Sequence, residues 1–141
     1  MKVRLTDLPV VAKRIIDSLQ PGDVLALSGP LASGKTTLTQ HMLRLLGYVG
    51  RVTSPTFVLE KHYPVGHKKI NEVIHLDFYR LKPEELFTFG WKDYLGDKTT
   101  LTIIEWPEIG LEFLPIGVKT VKLEIIDEQT RKFTFSENFS F

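Results

Sequence analysis

The sequence contains no cysteine, which excludes a disulfide framework, a thiolate metal site and a cysteine nucleophile. It also carries almost no excess charge: 18 Lys and Arg stand against 17 Asp and Glu, a formal net charge of +1. Bulk electrostatics therefore gives the chain no reason to coat nucleic acid or an anionic membrane, and any such partner must be met through a local patch. No apolar run approaches the ~18 residues that cross a bilayer. The opening Met1-Lys2-Val3-Arg4-Leu5 alternates charged and apolar side chains and does not resemble a secretion signal. The expectation is a cytoplasmic protein. Internal repeats, low-complexity tracts and Pro/Gly/Ser-rich linkers are missing as well, so residues 1–141 read as one domain.

What is present is a globular composition, with 43% hydrophobic and 25% charged residues, enough apolar side chains for one core. Thr6 or Asp7 can cap a helix whose apolar residues Leu8, Val11, Ile15 and Leu19 recur at helical spacing until Pro21-Gly22 ends it. Asp23 to Leu27 reads as a short buried strand, Gly29 to Lys35 as a glycine-bounded loop and Thr36 to Leu46 as a helix stopped by Gly47. Thr56 to Tyr63 and Glu72 to Phe78 are strand-like runs joined by a basic loop, which predicts an antiparallel hairpin. Pro83 opens a short helix with Glu84 and Glu85 in its first turn. Thr100 to Ile104, ending in Glu105, suits a strand buried on both faces. Val118 to Ile126 and Lys132 to Phe135 suit a final hairpin. The mixture predicts an α/β three-layer domain with a mixed parallel and antiparallel central sheet.

The strongest chemical signal is Gly29-Pro30-Leu31-Ala32-Ser33-Gly34-Lys35-Thr36, which satisfies G-x-x-x-x-G-K-[ST] between a predicted strand and a predicted helix. Gly29 and Gly34 allow tight backbone geometry, and successive N–H groups with the helix N-terminus form a concave anion site. Lys35 would neutralise the β- and γ-phosphates of a nucleotide, and the Thr36 hydroxyl would ligate Mg²⁺. A phosphate loop of this kind needs an acidic partner at the end of a neighbouring strand. Asp77 and Glu105 both stand there, and either can hold Mg²⁺ or its waters, or orient an attacking water. Ser54-Pro55-Thr56 reads equally as a switch element sensing the γ-phosphate and as a proline-stiffened turn.

His75 alternates with Ile74 and Leu76 along its strand, a pattern that favours a satisfied structural histidine over a catalytic one. His41, His62 and His67 lack metal-ligand spacing. Lys68-Lys69 reads as a solvated hairpin tip, with RNA or an acidic partner as the other reading. Trp106 follows Glu105 directly and belongs either to the core or to the lining of the site.

Four blocks together resemble the bacterial TsaE (YjeE) family of small P-loop ATPases in order and spacing. They are the loop from Gly29 to Thr37, Ser54-Pro55-Thr56-Phe57, His75-Leu76-Asp77-Phe78-Tyr79-Arg80 and Glu105-Trp106-Pro107. Pro83-Glu84-Glu85-Leu86 and Gly90 extend the resemblance over most of the chain. It implies a P-loop NTPase domain binding ATP and Mg²⁺ and hydrolysing ATP weakly until partners stimulate it. It also implies a role in placing threonylcarbamoyl on adenosine 37 of tRNAs that read ANN codons, with TsaB and TsaD proteins as partners and tRNA met indirectly. By the same resemblance, Gly29, Ala32, Ser33, Gly34, Lys35, Thr36 and Thr37 hold the nucleotide, joined by Thr6 and Arg131. Thr36 and Glu105 are Mg²⁺ ligands and Asp77 is the second-strand acid near the γ-phosphate, itself a metal candidate, with Thr56 the switch and Trp106 part of the functional surface. The loop departs from the family at Pro30, which removes an N–H donor, and at Ala32-Ser33, where Ala32 is strained if its position needs a positive φ.

Two other readings stand beside this one. A small-molecule or nucleoside kinase also opens with strand, loop and helix, but the arginines expected of a closing lid are scattered here as Arg44, Arg51, Arg80 and Arg131. A nucleotide-gated binding module would hold ATP and turn it over only when a partner completes the site, in keeping with the lack of an arginine finger in cis.

Overall fold

The computed structural model describes residues 1–53, 55, 59–88 and 90–141. Along the chain lie β1 (Lys2–Arg4), α1 (Leu8–Ser18), β2 (Val24–Ser28), α2 (Lys35–Leu45), β3 (Glu60–Pro64), β4 (Glu72–Asp77), β5 (Thr100–Glu105), β6 (Lys119–Ile125) and β7 (Thr130–Phe135). The strands join in one sheet of order β1-β7-β6-β2-β5-β4-β3. β2 runs parallel to β5 and β6, and β4 parallel to β5. The pairs β3–β4, β6–β7 and β1–β7 are antiparallel. The expected mixed α/β sheet is therefore present, with its antiparallel pairs at both edges.

Burial explains the order. Every residue of β5 is buried, as a central strand covered on both faces requires. β6 instead alternates, with Val121 and Leu123 inside and Lys122 outside. On one face, Leu25, Leu27, Leu101, Ile103, Val121 and Leu123 pack under α1 and α2. α1 contributes Leu8, Val11, Ala12 and Ile15, the stripe expected from the helical spacing, and α2 contributes Leu38, Met42 and Leu43.

The other face has no long helix over it among the described residues. It is covered by 3-10 turns at Pro83–Glu85, Trp91–Tyr94 and Pro107–Phe113. From these segments Leu81, Leu86, Trp91 and Ile109 reach Ile74, Leu76 and Ile104 on the sheet. Trp91 is fully buried, donates its indole N–H to the Leu86 carbonyl at 2.6 Å and meets Phe78 edge-on with ring centroids 5.3 Å apart. Burying an indole of about 150–250 Å² at roughly 25 cal/mol per Å² is worth on the order of 4–6 kcal/mol, enough to fix a layer without long helices.

The strand predicted from Thr56 begins at Glu60; residues 56–58 lie outside those described, and Leu59 is a bend with φ 70°. In the β3–β4 hairpin, His62 bridges Glu72 at 2.6 Å and Glu60 at 2.9 Å. Partial burial lowers the His62 pKa, but the hydrogen bonds and charges of the two glutamates outweigh it and raise the value above the usual 6.5. The raised value makes the contribution of His62 to stability full below pH 6.5 and lost as pH rises through the folded-state pKa. Urea unfolding at a series of pH values should therefore show wild type more stable than His62→Gln below the usual histidine pKa, with the gap closing as pH rises above it. A gap independent of pH would contradict the bridging role.

Candidate nucleotide site

The site begins with register. Glu105 at the end of β5 is paired with Asp77 on β4 and with Leu27 on β2. Side chains alternate along a strand, so Val73, His75 and Asp77 share one face of β4, and Leu101, Ile103 and Glu105 share one face of β5. Val73, Leu101 and Ile103 belong to the core beneath α1 and α2. Both carboxyl groups thus emerge on the helix side, at the carboxyl ends of parallel strands, where open α/β sheets bind ligands.

The loop after β2 turns there into α2. Gly29 has φ +146°, and a Cβ on it would stand 2.6 Å from the Leu123 carbonyl of β6, so this close approach requires glycine. Gly34 precedes the helix in the left-handed conformation at φ 109°. Ala32 adopts φ 63°, the condition under which strain was expected. The first N–H groups of a helix lack intrahelical acceptors. Among the described residues, those of Gly34 to Thr37 find no backbone acceptor either. Their dipoles are available to an anion.

Arg131 braces the loop from behind. Its Nε donates to the Ser33 carbonyl at 3.1 Å and one terminal nitrogen to the Ala32 carbonyl at 3.2 Å. The other terminal nitrogen donates to the carbonyls of Asp127 and Thr130. The resemblance puts this residue near the nucleotide; here its donors are spent on the loop that would hold one.

Lys35 is buried, and its ammonium donates to the carbonyls of Gly29 at 2.6 Å and Pro30 at 3.0 Å. It also sits over the Trp106 ring, 4.1 Å from the centroid. Burial lowers its pKa from 10.5, while the charges of Glu105, Glu108 and Asp77 act in the opposite direction. Trp106 has φ 54° and meets Tyr79 with centroids 4.7 Å apart. Trp106 therefore lines the site and does not enter the core.

Thr36 donates its hydroxyl to Glu105, 3.0 Å from Oε1 and 3.2 Å from Oε2. His75 Nε2 approaches the same carboxyl, 2.5 Å from Oε2. Asp77 Oδ1 accepts the backbone N–H of Tyr79 at 2.8 Å. The loop residues Ala32 to Thr37, Asp77, Glu105 and Trp106 line one cavity of about 440 Å³, within the ~300–1,000 Å³ usual for ligands. Leu31, Tyr79 and Arg80 line it too; they stand inside the loop motif and the block from His75 to Arg80, but neither pattern assigns them a role. Thr6 is elsewhere, exposed in a separate cavity with Arg4, Asp127 and Gln129. Thr56 lies outside the described residues.

The donor set suits Mg²⁺. Among the described residues there is no cluster of three His, Asp or Glu able to cage a metal. A hydroxyl and a carboxylate side by side fit an ion that keeps several waters and takes its other ligands from phosphate oxygens.

Strand, glycine-bounded loop, Lys-Thr at the helix start and acids on adjacent parallel strands define a protein of the P-loop nucleotide-binding class. The family model described as Threonylcarbamoyl adenosine biosynthesis protein TsaE matches residues 4–133, and the chain belongs to the TsaE family. It is 41% identical over 103 residues to the tRNA threonylcarbamoyladenosine biosynthesis protein TsaE of Haemophilus influenzae, a match covering 72% of this chain and 63% of that protein. The protein of the same name from Bacillus subtilis is 32% identical over 126 residues, covering 89% and 77%. The crystal structure of Bacillus subtilis YdiB superposes with TM-score 0.76 at 27% identity, over 96% of this chain and 83% of that one.

The bracing by Arg131 makes its own forecast. Arg131→Met keeps the stem but leaves the Ala32 and Ser33 carbonyls without their donors, and urea unfolding should show a loss of about 1–3 kcal/mol. Arg131→Lys, a point donor in place of a fork, should recover only part of it. Unchanged stability in Arg131→Met would show that the loop does not depend on this grip.

Proposed function

We propose that residues 1–141 act as one Mg²⁺-dependent P-loop ATPase domain in tRNA threonylcarbamoyladenosine biosynthesis. Its nucleotide state would control the TsaB and TsaD proteins that modify adenosine 37 of tRNAs reading ANN codons. The observation that carries the reading is the Thr36 hydroxyl on the Glu105 carboxylate, inside the cavity that the loop and Lys35 share. Thr36 and Glu105 are the groups to hold Mg²⁺, which when bound would neutralise charge on the β- and γ-phosphates. Lys35 would exchange its two loop carbonyls for phosphate oxygens, keeping a charge-assisted partner throughout.

Asp77, held by the Tyr79 N–H, is the group to orient a water for attack on the γ-phosphorus. Thr56 retains the sensing role that the family resemblance gives it. Thr6 is a contact for the nucleoside end, through the cavity it lines with Gln129. Arg131 would serve the nucleotide through the loop. No described helix is long and apolar enough to cross a membrane, and a tRNA-modifying role favours the cytoplasm. Family membership speaks against the kinase reading.

ATP turnover by the purified chain, alone and with TsaB, TsaD and tRNA, tests the proposal. The partners should raise the rate well over tenfold, and Lys35→Ala should lower it by about 100-fold or more. Glu105→Gln should weaken Mg²⁺-dependent ATP binding, whereas Asp77→Asn should spare binding and slow turnover. ATP binding with no response to the partners would sink the role in tRNA modification, and no ATP binding at all would sink the chemistry.

A further inference from the structure

A histidine in the middle of β4 needs a reason. His75 is fully buried, on the same strand face as the core residue Val73 and two residues before Asp77. A polar ring in such a place costs free energy unless it is hydrogen-bonded, and an apolar side chain would fill the space without that cost. The ring uses one nitrogen only. Nε2 lies 2.5 Å from Glu105 Oε2, while Nδ1 is buried with no hydrogen-bond partner among the described residues.

This one-sided bonding fixes the tautomer. With the hydrogen on Nε2, the ring donates to an ionised carboxylate and leaves only a lone pair unpaired at Nδ1. The reverse tautomer would leave an N–H donor orphaned in the core and require the carboxyl to carry a proton. Glu105 is then held from two sides, by the Thr36 hydroxyl of α2 and by the imidazole of β4. Thr36 is shared between Glu105 and the proposed metal, but His75 serves Glu105 alone. A free glutamate side chain must lose rotamer entropy to be ordered, and the buried imidazole removes that freedom before any ligand arrives.

We propose that His75 is a positioning residue for Glu105, holding its carboxylate towards Thr36 in the geometry that Mg²⁺ binding needs. The inference rests on the nucleotide reading above and deepens it, since it turns a residue expected to be structural into part of the metal site's support.

Two side chains separate positioning from packing. Glutamine carries its amide nitrogen where Nε2 lies, whereas asparagine reaches only as far as Nδ1. Calorimetric titration of ATP into the full chain, in Mg²⁺ and in EDTA, should show His75→Asn losing about 10–100-fold of the affinity gained from Mg²⁺, with affinity in EDTA within about twofold of wild type. His75→Gln should bind nearly as wild type does. In the metal-free wild-type protein, long-range ¹H–¹⁵N spectra should show His75 with a hydrogen on Nε2. His75→Asn matching wild type in Mg²⁺ would overturn the proposal. So would equal losses for both variants in Mg²⁺ and EDTA alike, which mark a packing role, or a spectrum with Nε2 bare. Wild-type protein that binds no ATP in Mg²⁺ would defeat the nucleotide reading and this inference with it, whereas the first outcome defeats this inference alone.

Discussion

The pairing of β5 with β4, Asp77 opposite Glu105 and His75 opposite Ile103, is the constraint on which the rest of the site depends. A slip of one residue in β4 would send Asp77 and His75 to the face covered by Leu86 and Trp91 and bring Leu76 to the phosphate loop. Burial on both faces forbids that slip, because it would place a carboxylate and an imidazole in an apolar layer with no partner. The same pairing extends through Glu105 to Leu27 on β2, the strand that launches the loop. Loop, helix start and acids are thus at one level because three parallel strands are in one register.

Around that frame the site stores strain and holds it in place. Ala32 and Trp106 both have left-handed backbones, a conformation that costs a non-glycine residue about 1–2 kcal/mol. Each is fixed by a contact from a distant part of the chain. Arg131 of β7 grips the Ala32 carbonyl, and Tyr79 and Lys35 lie against the Trp106 ring. Strain of this kind persists only where the surroundings over-determine it, and it gathers at functional sites. The antiparallel edge strand β7 is therefore part of the site's support, although no residue of it lines the cavity.

Much of this was legible in the sequence, for local reasons. Helical spacing in α1, the apolar run of β2, the β-branched run of β5 and the glycine-bounded loop are carried by neighbouring residues, as is the acid at the end of β5. Other features depend on where distant segments meet. Nothing near Arg131 announces that its guanidinium will be spent on the carbonyls of Ala32 and Ser33. The alternation of His75 with Ile74 and Leu76 signals burial, but its bond to Glu105 requires the β4–β5 register. Of the layer around Trp91 only the turn opened by Pro83 was legible; Trp91–Tyr94 and Pro107–Phe113 are short 3-10 segments with too little periodicity to read. Thr6, assigned by resemblance to the nucleotide, lines a different cavity from the loop.

The central claim is that the loop, Thr36 and Glu105 form one site for a nucleoside triphosphate and its magnesium. A crystal structure of the chain with Mg²⁺ and a non-hydrolysable ATP analogue tests it most directly. The account predicts the terminal phosphates on the N–H groups of Gly34 to Thr36, Lys35 released from Gly29 and Pro30 to meet them, and the metal between Thr36 and the carboxylate of Glu105. An analogue bound elsewhere, with Lys35 still on its loop carbonyls and Thr36 still on Glu105, would contradict it.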